Sequence, residues 1–142
     1  LLVDCPPEER GDLGVAMRES GLDGICLIAP TTTRDRVKDI SSIASGFIYY
    51  VSLKGLTGAG KLNSSELTEP VSQIREFSDL PVAVGFGIKN AEMAVEVAQH
   101  ADAVVIGSAL VEALSETQTQ EQACSVAKSF LAPVRKSLDN ME

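Results

Sequence analysis

"VAVGFGIKNAEMAVEVAQHADAVVIGSALVEAL", residues 82–114, holds two apolar runs separated by one amphipathic stretch. Neither run alternates polar with apolar residues, so both read as strands buried on two faces. Between them Asn90 is placed to cap a helix, with Met93, Ala94, Val97 and Ala98 as its apolar stripe. The second run passes directly into a short helix carrying Val111 and Leu114 on one face. A strand, a helix and a strand in so little chain require a crossover connection, which makes the two strands parallel.

The same unit recurs outward from this stretch. Apolar runs stand at "LLVDC" (1–5), "GICLIA" (24–29), "FIYYVS" (47–52), "PVAVGFG" (81–87) and "ADAVVIGS" (101–108). Each leads into a helical pattern. Leu13, Ala16 and Met17 form the first stripe, which Gly21 is placed to end; Val37, Ile40 and Ala44 form the second, capped by Thr32 or Thr33. Pro70 suits the first turn of a helix that turns Val71 and Ile74 inward. Ala123, Val126, Ala127 and Phe130 line the last helix, where Pro133 predicts a kink or a break.

This alternation makes the fold class α/β with parallel strands. Five units cannot close an eight-stranded barrel of ~250 residues. They match either the later strands of one or an open doubly wound sheet, and the pattern leaves both open. The chain begins inside a strand pattern without a methionine, which predicts a single domain over 1–142 that is a piece of something longer.

Of the 142 residues, 20 are acidic and 12 basic, a net charge of −8 that disfavours a broad nucleic-acid surface. No run reaches the ~18 apolar residues of a membrane span. The three cysteines, Cys5, Cys26 and Cys124, lack metal-ligand spacing and read as thiols of a reducing cytoplasm.

In parallel α/β folds ligands sit at the carboxyl ends of the strands. Asp4, Ser52, the Gly85–Gly87 pair and Gly107-Ser108 fall there. Glycines let an anion approach the backbone, and a helix N-terminus presents free N–H groups, so the last two loops suit a phosphate. "GLTGAGKL" (55–62) starts like a nucleotide-binding P-loop, but Leu62 stands where a hydroxyl must hold magnesium, and no helix follows at once. It reads as a lid, with Lys61 solvated. His100 precedes a strand, at the opposite end, and reads as a surface histidine.

"YYVSLKGLTGAG", "VAVGFGI" and "VIGSALV", in this order and spacing, together with "LLVDCPPEE", resemble the α subunit of tryptophan synthase. The resemblance covers essentially the whole chain. It implies a (β/α)8 barrel, of which this chain supplies about strands 4 to 8. It implies retro-aldol cleavage of indole-3-glycerol phosphate to indole and glyceraldehyde 3-phosphate, in tryptophan biosynthesis. No metal or cofactor is implied here; pyridoxal phosphate belongs to the partner β subunit of an α2β2 complex. By motif, Gly58, Gly87, Gly107 and Ser108 would surround the phosphate. Tyr49, Thr57, Phe86, Ile28, Val3 and Val105 would line the indole pocket. Gly55, Leu56, Thr57 and Gly58 would form the lid, with Asp4 and Ser52 near the site. The family's acid/base glutamate and its indole-binding aspartate match no residue of this chain, so no catalytic residue is carried over and the chain alone is expected to be inactive. Competing readings are a metal-free sugar-phosphate isomerase and a non-catalytic fragment that keeps only ligand or partner binding. A metal-dependent epimerase would need His and carboxylate ligands at strand ends that the sequence does not offer.

Overall fold

The computed structural model describes residues 1, 5–52, 65–85 and 87–141. Strands β1 (Cys26–Ile28), β2 (Ile48–Val51), β3 (Val82–Gly85) and β4 (Ala103–Val105) pair in parallel as one sheet, in the order β1-β2-β3-β4. Each lies inside an apolar run expected to be a strand. The earlier run, 1–5, contains Leu2, Val3 and Asp4, which lie outside the described residues.

Strand order decides between the two candidate architectures. A doubly wound sheet reverses its order at a switch point and carries helices on both faces. Here each strand joins the edge left by the one before, as in a barrel. The helices agree. α2 (Arg34–Ile43), α3 (Ser65–Arg75), α4 (Ala91–Ala98) and α6 (Gln120–Asp139) share one core with Cys26, Ile28, Ile48, Tyr50, Val82 and Val84, all on a single face of the sheet. Ile48, Val82 and Val84 are at most 1% exposed, and such burial contributes up to ~1.5–3 kcal/mol per side chain.

The opposite face departs from expectation. β1 and β2 alternate buried with half-buried residues instead of burying both sides. Leu27, Tyr49, Val51 and Val105 belong to this second face, which turns away from the helix-side core. In a closed barrel it is the face that looks inward.

Local chemistry sets the helix ends. The Asn90 side chain accepts from the Met93 N–H at 3.0 Å and so caps α4. Thr119 does the same for α6, accepting from Gln122 at 3.2 Å. Helix α1 (Gly11–Glu19) ends where Gly21 takes φ +69°, with the Leu22 N–H donating to the Met17 carbonyl at 2.9 Å. Thr33 occupies the N-cap of α2 without a side-chain bond; Thr32 instead braces the preceding loop, its hydroxyl accepting from Ala29 at 3.0 Å.

Three expectations are corrected. Pro70 stands in the second turn of α3, because the helix already opens at Ser65. Of the kink or break expected at Pro133, the break does not occur, since α6 continues to Asp139. Pro133 itself is exposed, as is Ser129, whose carbonyl it cannot serve, while Val134 behind it is buried and Leu138 packs on the core. On α1, Leu13 is 50% exposed, Ala16 is exposed and Met17 only half-buried, so its apolar stripe is little covered among the described residues.

Side-chain pairs tie the helices together. Arg34 of α2 pairs with Glu76 and stands 5.2 Å over the Phe77 ring. Arg36 pairs with Glu8, in the 3-10 turn Pro7–Glu9, and holds that carboxyl down at about 2. Both pairs are exposed, so each adds little.

Candidate functional site

The four strands run one way, so their carboxyl ends make one rim. Val51 is in register with Gly85, and Gly85 with Val105. The Tyr49 ring lies across this row. A Cβ added at Gly85 would stand 2.6 Å from the Tyr49 hydroxyl oxygen and 2.8 Å from the Val105 Cβ. Glycine here is a steric requirement, since no real side chain tolerates such approaches. Burial raises the Tyr49 phenol above its ordinary 10. The hydroxyl therefore stays protonated at neutral pH and can donate a hydrogen bond.

Two residues beyond the Gly85–Val105 pair stand Gly87 and Gly107, each leaving the rim on adjacent strands. Gly87 has φ +68°, a backbone state that side chains resist. Gly107 is the N-cap of α5 (Ser108–Leu114), its carbonyl accepting from Leu110 at 3.0 Å and Val111 at 3.1 Å. Among the described residues nothing lies within 4 Å of a Cβ built at Gly107. The first N–H groups of α5 have no partner inside the helix. Ser108, the first residue of α5, is exposed at this end. On α5, Leu114 is half-buried, but Val111, expected to share its face, is 68% exposed. Ser52 is buried just past β2 and donates its N–H to the Gly85 carbonyl at 3.1 Å, extending the ladder to the rim.

The structure therefore gathers Tyr49, Ser52, Gly87, Val105, Gly107 and Ser108 along one rim. It does not bring Ile28 there. Ile28 is in register with Tyr50, is 2% exposed and sits in the helix-side core. Leu27, in register with Tyr49, occupies the inward face instead. Two-sided apolarity hid this choice, because the sequence "CLI" alone does not say which residue faces which way. Val3, Asp4, Gly55, Leu56, Thr57, Gly58 and Phe86 lie outside the described residues.

Other polar groups stand at the amino end. Asp102 accepts from the Val82 N–H at 2.8 Å and from Arg75 at 3.0 Å and 3.1 Å. These bonds, the backbone one foremost, hold its carboxyl below the ordinary aspartate value. Its role is to pin β3 to β4. His100 is half-buried, with Nδ1 3.1 Å from the Thr68 hydroxyl. Cys26 is buried, Cys5 half-buried and Cys124 exposed. Among the described residues no three His, Cys, Asp or Glu side chains come together as a metal site, and no helix is long and apolar enough to cross a membrane.

Parallel strands in sequential order, one helix-covered face and glycine-bearing loops on adjacent strands define the later strands of a (β/α)8-barrel protein. The family model described as tryptophan synthase alpha chain matches residues 1–139, and the chain belongs to that family. The tryptophan synthase alpha chain of Dechloromonas aromatica (strain RCB) is 46% identical over 142 residues, which are 100% of this chain and 53% of that protein. The one from Burkholderia cenocepacia (strain HI2424) is 49% identical over 139 residues, 98% of this chain and 51% of that one. The chain thus spans about half the length of the curated relatives it matches. Among solved structures, the alpha subunit from Legionella pneumophila str. Paris superposes with a TM-score of 0.82 at 37% identity, covering 99% of this chain and 51% of that chain. A chain of the tryptophan synthase a2b2 complex from Pyrococcus furiosus does so at 0.80 and 30% identity, covering 95% and 54%.

Proposed function

We propose that this chain serves the retro-aldol cleavage of indole-3-glycerol phosphate to indole and glyceraldehyde 3-phosphate. The backbone amides at Gly58, Gly87 and Gly107, with Ser108, hold the phosphate. Tyr49, Val105 and Leu27, with Thr57, Phe86 and Val3, form the apolar slot for the ring. Residues 55–58 close over the ligand, and Asp4 and Ser52 border it. Breaking the carbon–carbon bond needs a proton delivered to the indole ring carbon and one removed from the glycerol hydroxyl. In this reading residues 1–142 bind and orient substrate as one domain, and the carboxylates that move those protons are not among them. The partner is a β subunit, as in the a2b2 complex of the Pyrococcus furiosus relative.

The observation that supports the reading is the Gly85–Val105 register on adjacent strands, two residues before Gly87 and Gly107, with the Tyr49 hydroxyl beside Gly85. Backbone amides and a helix dipole let an acidic protein hold a phosphate without a basic patch. The test is indole release from indole-3-glycerol phosphate by this chain joined to the amino-terminal half of a relative. Release by the joined protein, and none from the 142 residues alone, is expected. A joined protein that folds and binds the β subunit but releases no indole would overturn the proposal.

A further inference from the structure

At the amino end of β1, a cleft of about 520 Å³ opens between α1 and α2. Its volume lies in the ~300–1,000 Å³ range of small-molecule sites. Met17, Leu22 and Ile43 supply apolar wall, with Leu22 59% and Ile43 41% exposed. Two guanidiniums, Arg10 and Arg18, line the same cleft.

These two arginines differ from their neighbours. Arg34, Arg36, Arg75 and Arg135 each pair with a carboxylate, whereas Arg10 and Arg18 make no ion pair among the described residues. That is notable in a chain of net charge −8, where acidic partners abound. Arg10 is also held in place. One of its terminal nitrogens donates to the Ile25 carbonyl at 3.1 Å, and the other would stand 3.1 Å from a Cβ at Gly24, so glycine makes room for it. Its Nε is buried without an oxygen or nitrogen partner, although the guanidinium also stands beside the Cys26 thiol. A buried donor left unpaired costs ~1–3 kcal/mol and calls for an explanation.

We propose that this cleft binds a small carboxylate bearing an apolar group. The Arg10 and Arg18 guanidiniums take the carboxylate, for which their planar forks are suited. Met17, Leu22 and Ile43 take the apolar body and lose contact with water. A compact phosphate fits less well. It has no apolar body, so Met17, Leu22 and Ile43 would stay in contact with water beside it.

Titration of the whole chain with benzoate, followed by amide NMR shifts, tests the assignment. Benzamide serves as the neutral isostere and inorganic phosphate as the anion without an apolar body. Saturable shifts at Gly24 and Ser45 with benzoate, and none with the two controls at equal concentration, are expected. Arg18→Gln, on an exposed helix position, should weaken benzoate about fivefold, the worth of one exposed charged contact of ~1 kcal/mol. Leu22→Ser, also exposed, should weaken it while leaving the fold intact. Absent or non-saturable shifts, equal response to benzamide or to phosphate, or unchanged affinity in both variants would each overturn the proposal.

Discussion

Tyr49 and Gly85 occupy diagonal positions on β2 and β3, and the tyrosine ring fills the space a side chain at Gly85 would need, with Cε2 only 2.9 Å from a built Cβ. The Val105 Cβ, at 2.8 Å on the other side, is fixed to backbone and cannot swing away. Gly85→Ala should therefore destabilise the protein by about 1–3 kcal/mol, the usual cost of overpacking. Urea unfolding measures it; a change below ~0.5 kcal/mol would mean that the strands separate freely at this point.

Gly107 presents the opposite case. Its φ of −118° lies outside the left-handed region, and among the described residues a side chain would meet nothing within 4 Å. A carboxylate there also meets the positive end of the α5 dipole. Gly107→Asp should leave the thermal midpoint unchanged or slightly raised while abolishing glycerol phosphate binding, because the carboxylate places a like charge in the anion's space. Calorimetric titration of the protein joined to a relative's amino-terminal half checks this. Retained affinity would remove the phosphate from this loop.

Asp102 links stability to pH. Its carboxyl is held below an ordinary aspartate's 3.8 by the Val82 N–H first, and then by Arg75. A depressed folded-state value contributes stability above the unfolded value and loses it as pH falls through the folded one. Stability should thus decline as pH drops from about 4, and Asp102→Asn should be less stable at pH 7 with a shallower decline over that window. The group is 44% exposed, so solvent screening keeps the effect small. Parallel denaturation curves for both proteins at pH 7 and pH 3 measure it.

Pro133 interrupts the hydrogen-bond ladder of α6 on its exposed side. Pro133→Ala restores a donor for the Ser129 carbonyl. The gain should be about 1–2 kcal/mol, less than the ~3 kcal/mol a helix-interior proline costs, because proline also restricts the unfolded chain. A loss of stability would show that α6 needs a bend there to seat Val134.

Much of this molecule was legible from local chemistry. The runs holding β1 to β4, the Asn90 cap, the Gly21 helix end and the glycine loops after β3 and β4 all follow from residue type and spacing. Such features depend on neighbours close in sequence, whose backbone preferences act over a few residues.

What the sequence by itself determined is therefore the alternation of parallel strands with helices and the end of the sheet at which Gly87 and Gly107 emerge. Tertiary structure alone decided which of Leu27 and Ile28 turns inward, that Tyr49 overlies Gly85, and that α6 runs through Pro133. The reason is that a strand apolar on both sides carries no periodic mark of its faces, and only pairing with the next strand assigns them. In the same way, a helix-interior proline is tolerated or not according to whether its orphaned carbonyl meets water, which depends on what packs around it.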